Sequence, residues 1–417
     1  MKKKMLVLIG VAVCAMLLTS PALASAGYLK IYGNANEDDV LDMRDVTYIK
    51  LVIFGKKPET KLADANYDGK ISMLDVGQTK LIILGKEKEI TIVDSEDMAV
   101  TVKKPVERIV VTVTHHLEML RSIGVEGNQV VGVPDSVIKD EPFFPEYKDK
   151  PIVESRNSES IMNQYPDVVL LLAGKGYGGG TELDKVQDEL ESVGITVIRV
   201  YCGGTGRGDI PTEAKMLGYI LEKQNEADEF IDWYENIINS IRTAVDGIED
   251  EDKPKVYFEA YKWYSMADSC THTELAGGRN IFPDAHGYVS PEAVMKEKPD
   301  IIVKYSMGTE GLGGYHLAAS DTAELEEIRG EIMSRDELRD VVPAVQGEGR
   351  VHVITRHVRL CASGNLRGFF LQPAYQAKWF HPELFEDLDP QAIHQEYLTR
   401  FQGLDIDLDE KGVFVYS

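Results

Sequence analysis

The sequence predicts an α/β protein of two Rossmann-like lobes joined by a long helix, preceded by a small all-α, calcium-loop N-terminal domain. Three observations predict it. From Glu89 onward, short β-branched runs alternate with helix-length segments, the pattern of parallel sheets covered by helices. Between two sets of such runs, residues 212–246 keep helical apolar spacing, with no proline and one glycine, Gly218. Ahead of both, an acidic segment occurs twice at an offset of 30 residues. The implied division is a signal peptide at 1–26, a calcium-loop domain at 27–88, a first lobe at 89–211, the linking helix at 212–246 and a second lobe at 247–417.

The chain has 417 residues, with 69 Asp+Glu against 45 Lys+Arg and a formal charge of −24. Its 43% hydrophobic content suffices for real cores and excludes wholesale disorder. The acidic balance argues against a nucleic-acid partner, which needs a clustered basic face. Four cysteines are too few for a disulfide scaffold.

Lys2, Lys3 and Lys4 precede an apolar run and then Ala22, Ala24 and Ala26, which describes a secretory signal peptide cleaved after Ala24 or Ala26. The apolar run is about 14 residues, short of the roughly 20 a spanning helix needs, so membrane insertion of the mature chain is not expected.

The duplicated segment has the spacing of a 12-residue loop that wraps a hard cation. In the first copy the ligand positions are Asn34, Asn36, Asp38, the backbone carbonyl of Val40, and Asp45. In the second they are Asp64, Asn66, Asp68, the carbonyl of Lys70, and Asp75. Each loop leads into an apolar helical stretch that ends at a glycine, Gly55 or Gly85, suited to a helix C-cap. These paired units resemble a type I dockerin module, in which Asp closes each loop. The resemblance implies Ca2+-dependent folding and docking to a cohesin domain. Two departures stand out. Loop 1 starts with Asn34 and carries Asp39 where loop 2 has Gly69, so loop 1 should bind calcium more weakly. Loop positions 10 and 11 hold Met43-Arg44 and Met73-Leu74 instead of small hydroxylated residues, which leaves the cohesin partner open.

In the main body, residues 90–94 and 98–102 read as a hairpin. Residues 108–113, 129–133, 168–172 and 196–200 form a first set of strands, and 255–259, 301–305 and 350–354 a second. The linking segment reads as one helix, with a break near Gly218 or Lys223 as the alternative. The two halves echo each other at an offset of 133: Glu159 leads to Pro166-Asp167-Val168-Val169 as Glu292 leads to Pro299-Asp300-Ile301-Ile302. In each, a glutamate opens a short helix, where its charge suits the helix dipole.

With Gly278-Arg279-Asn280, Ser290-Pro291-Glu292 and Gly349-Arg350-Val351-His352 following in order, the body resembles the helix-hinged solute-binding proteins of ABC transporters for iron-siderophore, haem or cobalamin. The resemblance implies capture of a metal-chelate small molecule between the lobes and delivery to an ABC permease. It also makes Glu159 and Glu292 the residues that meet permease arginines. Open α/β sheets bind ligands beyond their C-terminal strand ends. Those ends offer His115, His116, Lys175, Tyr177, Tyr201, Tyr261, Trp263, Tyr305, Arg356 and Arg359. Aromatic faces supply contact area there, and cations pair with carboxylate, phosphate or an anionic chelate.

Cys202, Cys270 and Cys361 lack C-x-x-C spacing, so three buried thiols are expected in preference to a soft-metal site. No G-x-S-x-G, H-E-x-x-H or Walker lysine motif occurs, and the chain is not expected to be an enzyme. The competing readings are a dockerin-bearing polysaccharide hydrolase and a non-catalytic surface scaffold. The favoured one is an exported, cell-surface-associated receptor.

Overall fold

The duplicated loops come first in the fold as in the chain. The structure, a computed structural model, describes residues 29–139, 142–174, 180–203, 209–260, 265–266, 271–283, 285, 287–306, 313–347, 349–359 and 365–417. The signal-peptide reading lies outside the described residues. So do Lys175, Tyr177, Tyr261, Trp263, Cys270 and Cys361.

Each repeat ends in an eleven-residue helix, α1 (Met43–Ile53) and α2 (Met73–Ile83). Asp42 and Ser72 cap them, and each capping box is closed by the aspartate three residues on, Asp45 or Asp75. The proposed last loop ligand therefore also starts the helix. Gly55 and Gly85 follow the helices at φ +66° and +61°, the left-handed backbone the glycines were expected to supply. The repeats pack on each other through Val46, Ile49 and Val76.

Strands β1 (Glu89–Val93) and β2 (Ala99–Lys103) form the expected hairpin, with Glu89 opposite Lys103. Next comes an all-parallel sheet in the order β4-β3-β5-β6, from β3 (Ile109–Val111), β4 (Val130–Gly132), β5 (Val168–Leu172) and β6 (Thr196–Val200). Helix α3 (Thr114–Ser122) follows β3, α4 (Ser158–Met162) precedes β5, and α5 (Gly180–Ser192) joins β5 to β6.

The continuous helix expected over 212–246 is a correction: it is two helices, α6 (Ile210–Leu221) and α7 (Gln224–Val245). The break falls at Glu222, which takes φ +59°, while the Lys223 amide bonds back to the Gly218 carbonyl at 2.8 Å. Gly218 explains why α7 can lie so close. A Cβ there would sit 2.8 Å from the Ala227 Cβ and 3.1 Å from the Lys223 carbonyl oxygen. Helix α7 alone has 22 residues, about 33 Å at 1.5 Å per residue.

The second sheet is mixed. Strands β7 (Lys255–Ala260), β9 (Ile301–Ser306) and β10 (Val351–Thr355) are parallel neighbours, flanked by antiparallel β8 (Ser265–Met266) and β11 (Val415–Tyr416). Helix α8 (Pro291–Glu297) precedes β9, and α9 (Gly368–Phe380) follows β10. Between sheet and helix, the buried Glu259 carboxylate takes bonds of 2.7 and 2.9 Å from Arg335 and 2.6 Å from Lys304.

The two α/β lobes are tied directly. Glu118 of α3 is buried and accepts the Leu366 and Arg367 amides at 2.9 and 3.0 Å, with the Arg367 guanidinium at 3.2 Å. Tyr397 donates its hydroxyl to the same carboxylate at 3.0 Å. Among the described residues no helix is long and apolar enough to cross a membrane.

Candidate functional site

Both sheets present their C-terminal strand ends as the expected ligand side, and the site residues fall there unequally. His115 and His116 are corrections. They occupy the first turn of α3, turned inward and buried. The His116 Nε2 lies 3.0 Å from the Val200 carbonyl, and burial pushes its pKa down to about 4. A neutral core imidazole that ties α3 to β6 is not a cleft wall.

Tyr201, just past β6, is half-buried, with its ring against Gly174 after β5. Gly174 takes φ +116°, and a Cβ there would lie 3.2 Å from the tyrosine ring. The Tyr201 and Cys202 amides donate 2.8 and 2.7 Å bonds to Glu213 of α6, whose carboxylate also takes the Ser95 hydroxyl. Burial pushes the Glu213 carboxyl up. Cys202 is a free, buried thiol raised by the same desolvation, as expected of a packing cysteine.

The second lobe brings two predicted residues together. Arg359 lies with its guanidinium carbon 3.7 Å from the Tyr305 ring centroid and 5.1 Å from that of Phe258. It is only 4% exposed, and its Nε has no hydrogen-bond acceptor. Among the described residues no carboxylate pairs with it. A buried guanidinium stacked on aromatic faces gains cation–π attraction, and among the described residues nothing compensates its charge. Arg356 is exposed.

Glu159 and Glu292 are both exposed, each in the first turn of its short helix. Asn157 caps one by accepting the Ser160 amide, and Ser290 the other by accepting the Ala293 amide. Each unit then turns through a left-handed residue at the same offset, Tyr165 with φ +48°, two residues past the α4 C-cap Asn163, and Lys298 with φ +51°, the α8 C-cap itself. A cation then caps each free end: Arg108 donates to the Tyr165 and Gln164 carbonyls, Lys255 to the Glu297 carbonyl. The offset of 133 thus marks a repeated three-dimensional unit. Its own backbone amide and Ser290 hold the Glu292 carboxyl below the usual range, so it stays ionised.

In the repeats, Asp45 accepts the Asn36 and Asp42 amides at 3.1 and 2.8 Å, and Asp75 accepts those of Asn66 and Ser72 at 3.1 and 2.7 Å. Both aspartates are fully buried, and burial raises the Asp45 carboxyl. The Asn34 side-chain oxygen is buried without a partner. Hard oxygen donors, one of them orphaned, fit a calcium ion. Among the described residues no three His, Cys, Asp or Glu side chains converge as a preformed metal centre.

Two α/β lobes with parallel strands, tied through Glu118 and Arg367, define a solute-binding protein. The chain belongs to the periplasmic binding protein family, whose model matches residues 109–356, well over half of it. This is a family of non-catalytic binding proteins, and the repeats at 29–88 lie outside the matched stretch. The TroA-like periplasmic binding protein FepB of Veillonella parvula has a similar structure, with TM-score 0.63 and 21% identity over 78% of this chain and 99% of that one. The Haemophilus influenzae molybdate periplasmic binding protein MolA, bound to molybdate, gives 0.56 and 17% over 75% and 98%. Helicobacter pylori CeuE with Ni(II) bound gives 0.53 and 18% over 76% and 97%. At these identities the likeness speaks for the fold. No curated protein matches the chain by sequence.

Proposed function

We propose that the chain is the extracellular receptor of an ABC importer, capturing an anionic metal complex of the siderophore, haem or cobalamin class and handing it to the permease. Arg359 carries this reading. A buried guanidinium on Tyr305, near the C-terminal ends of β7 and β9 and, among the described residues, without a carboxylate partner, is stabilised when an anion enters. Glu159 and Glu292, on matching helices of the two lobes, are the docking points for permease cations. The repeats are a dockerin-like module in which Asn34, Asn36, Asp38, Val40 and Asp45, and Asp64, Asn66, Asp68, Lys70 and Asp75, hold calcium. A cohesin is the partner this implies, and such attachment would retain the receptor at the cell surface.

The test is thermal unfolding of the full chain with ferric siderophores, haemin, cobalamin, molybdate and tungstate. A ligand at 100 times its dissociation constant stabilises the fold by about 2.7 kcal/mol. A selective shift that disappears in Arg359→Leu supports the proposal. A shift that survives the substitution removes Arg359 from the site, and no shift with any anion favours the surface-scaffold reading.

A further inference from the structure

The junction of α6 and α7 is braced from outside both lobes. Lys104, just past β2, ion-pairs with Glu87, the segment leaving the second repeat, and the two side chains are 2% and 0% exposed. The same ammonium donates to the Tyr219 carbonyl in the last turn of α6 at 2.9 Å and lies 3.7 Å from Glu222. Glu222 is the left-handed residue where the two helices part. One buried cation therefore joins the repeats, the hairpin and the helix junction.

The backbone continues the attachment. The Tyr32 amide donates to the Thr91 carbonyl at 2.9 Å and the Val93 amide to the Lys30 carbonyl at 2.8 Å, so the start of the repeats adds an edge to β1. Leu29, Ile31 and Ile82 of the repeats share one apolar core with Ile92 of the hairpin and Leu217 and Ile220 of α6. A module hung on a flexible linker makes none of these contacts.

We infer that the repeat module is a strut: it is folded into the receptor and fixes the bend between the two helices that link the lobes. Its physical basis is the position of Lys104. A buried ammonium released from Glu87 loses its compensating charge, and the carbonyl end of α6 loses its cap. Loosening the module therefore frees the α6–α7 bend first.

The test uses the full chain and needs no calcium. All three tryptophans, Trp233, Trp263 and Trp379, lie outside the repeats, so tryptophan fluorescence reports the body alone. Ile49 is buried in the module's own small core, away from the body. Ile49→Ala should lower the tryptophan unfolding midpoint together with the far-ultraviolet transition. Lys104→Met should speed hydrogen exchange of amides 219–227 at least tenfold while the body stays folded. A tryptophan midpoint unmoved by Ile49→Ala, or junction exchange unmoved by Lys104→Met, overturns the strut. If Ile49→Ala does not fold, Ile49→Val provides the same comparison. Calcium titration of the unaltered chain separates the two ideas: absent calcium binding removes the dockerin-like reading and leaves the strut to stand or fall on these variants.

Discussion

Asp167 and Asp300 make the same bond in the two lobes. Asp167 accepts the Glu107 and Arg108 amides, both at 2.9 Å, and Asp300 accepts the Lys255 amide at 2.8 Å. Each carboxylate pins the start of one parallel strand to its neighbour, β3 to β5 and β7 to β9. The glutamate helix just upstream is thereby fixed to the sheet. The docking proposed for Glu159 and Glu292 needs each charge to be held rigidly by its own lobe.

Replacing Glu159 and Glu292 together by Ala should reduce solute uptake by at least tenfold and leave solute affinity unchanged. Both side chains are exposed and unneeded for packing, so thermal stability should hold. Uptake by whole cells and calorimetry on the purified chain measure the two effects separately. A matching fall in affinity would place the carboxylates in the cleft and end the docking proposal.

Much of this frame was legible from residues alone. The strands at Val168–Leu172 and Thr196–Val200 fall where their β-branched runs place them, because a buried parallel strand is apolar on both faces. The 133-residue echo also became a structural repeat, since Pro-Asp before an apolar run encodes a local turn. What escaped depends on distant partners. The alternative reading, a break near Gly218 or Lys223, holds, but nothing near Glu222 marks the left-handed backbone itself, which follows from α7 packing over Gly218. His115 and His116 follow a strand end in sequence, yet the rotation of α3 points them into the core. Glu213 signals itself only as a carboxylate within an apolar helical stretch, and Lys104 carries no signal, because Glu87 and Tyr219 meet it through the fold.

The buried histidines make stability pH-dependent. Burial lowers His116 and His272 to about 4, against 6.5 in the unfolded chain. Between those values the unfolded state holds protons that the folded state does not, so their contribution is complete above about pH 6.5 and is lost as pH falls toward 4. Each histidine adds a slope of up to about 1.4 kcal/mol per pH unit. Urea unfolding between pH 7.5 and 5 should show this decline, and His116→Gln should make it shallower. An unchanged slope in the variant would mean that His116 titrates normally in the folded protein.

The two repeats should differ in calcium affinity for reasons visible in their side chains. In loop 2, Asp64 accepts the Asp68 and Gly69 amides at 3.1 and 2.8 Å, and Gly69 takes φ +86°. In loop 1, Asp39 stays out of the left-handed region, and the neutral Asn34 replaces the leading carboxylate. Arg44 also pairs with Asp38 at 3.2 Å and Asp42 at 2.9 Å, so an incoming cation must displace a guanidinium. Calorimetric titration of the full chain should therefore resolve a tighter and a weaker site, with Asp68→Ala removing the tighter one. Exposed pairs of this kind contribute about 0.2–1 kcal/mol, so Arg44→Ala should tighten the weaker site by up to about fivefold. Chelation of calcium should lower the unfolding temperature, with the larger part of the loss absent in Asp68→Ala. Two equal sites, or a first loop that binds more tightly, would show that Arg44 and the missing glycine do not control the affinity.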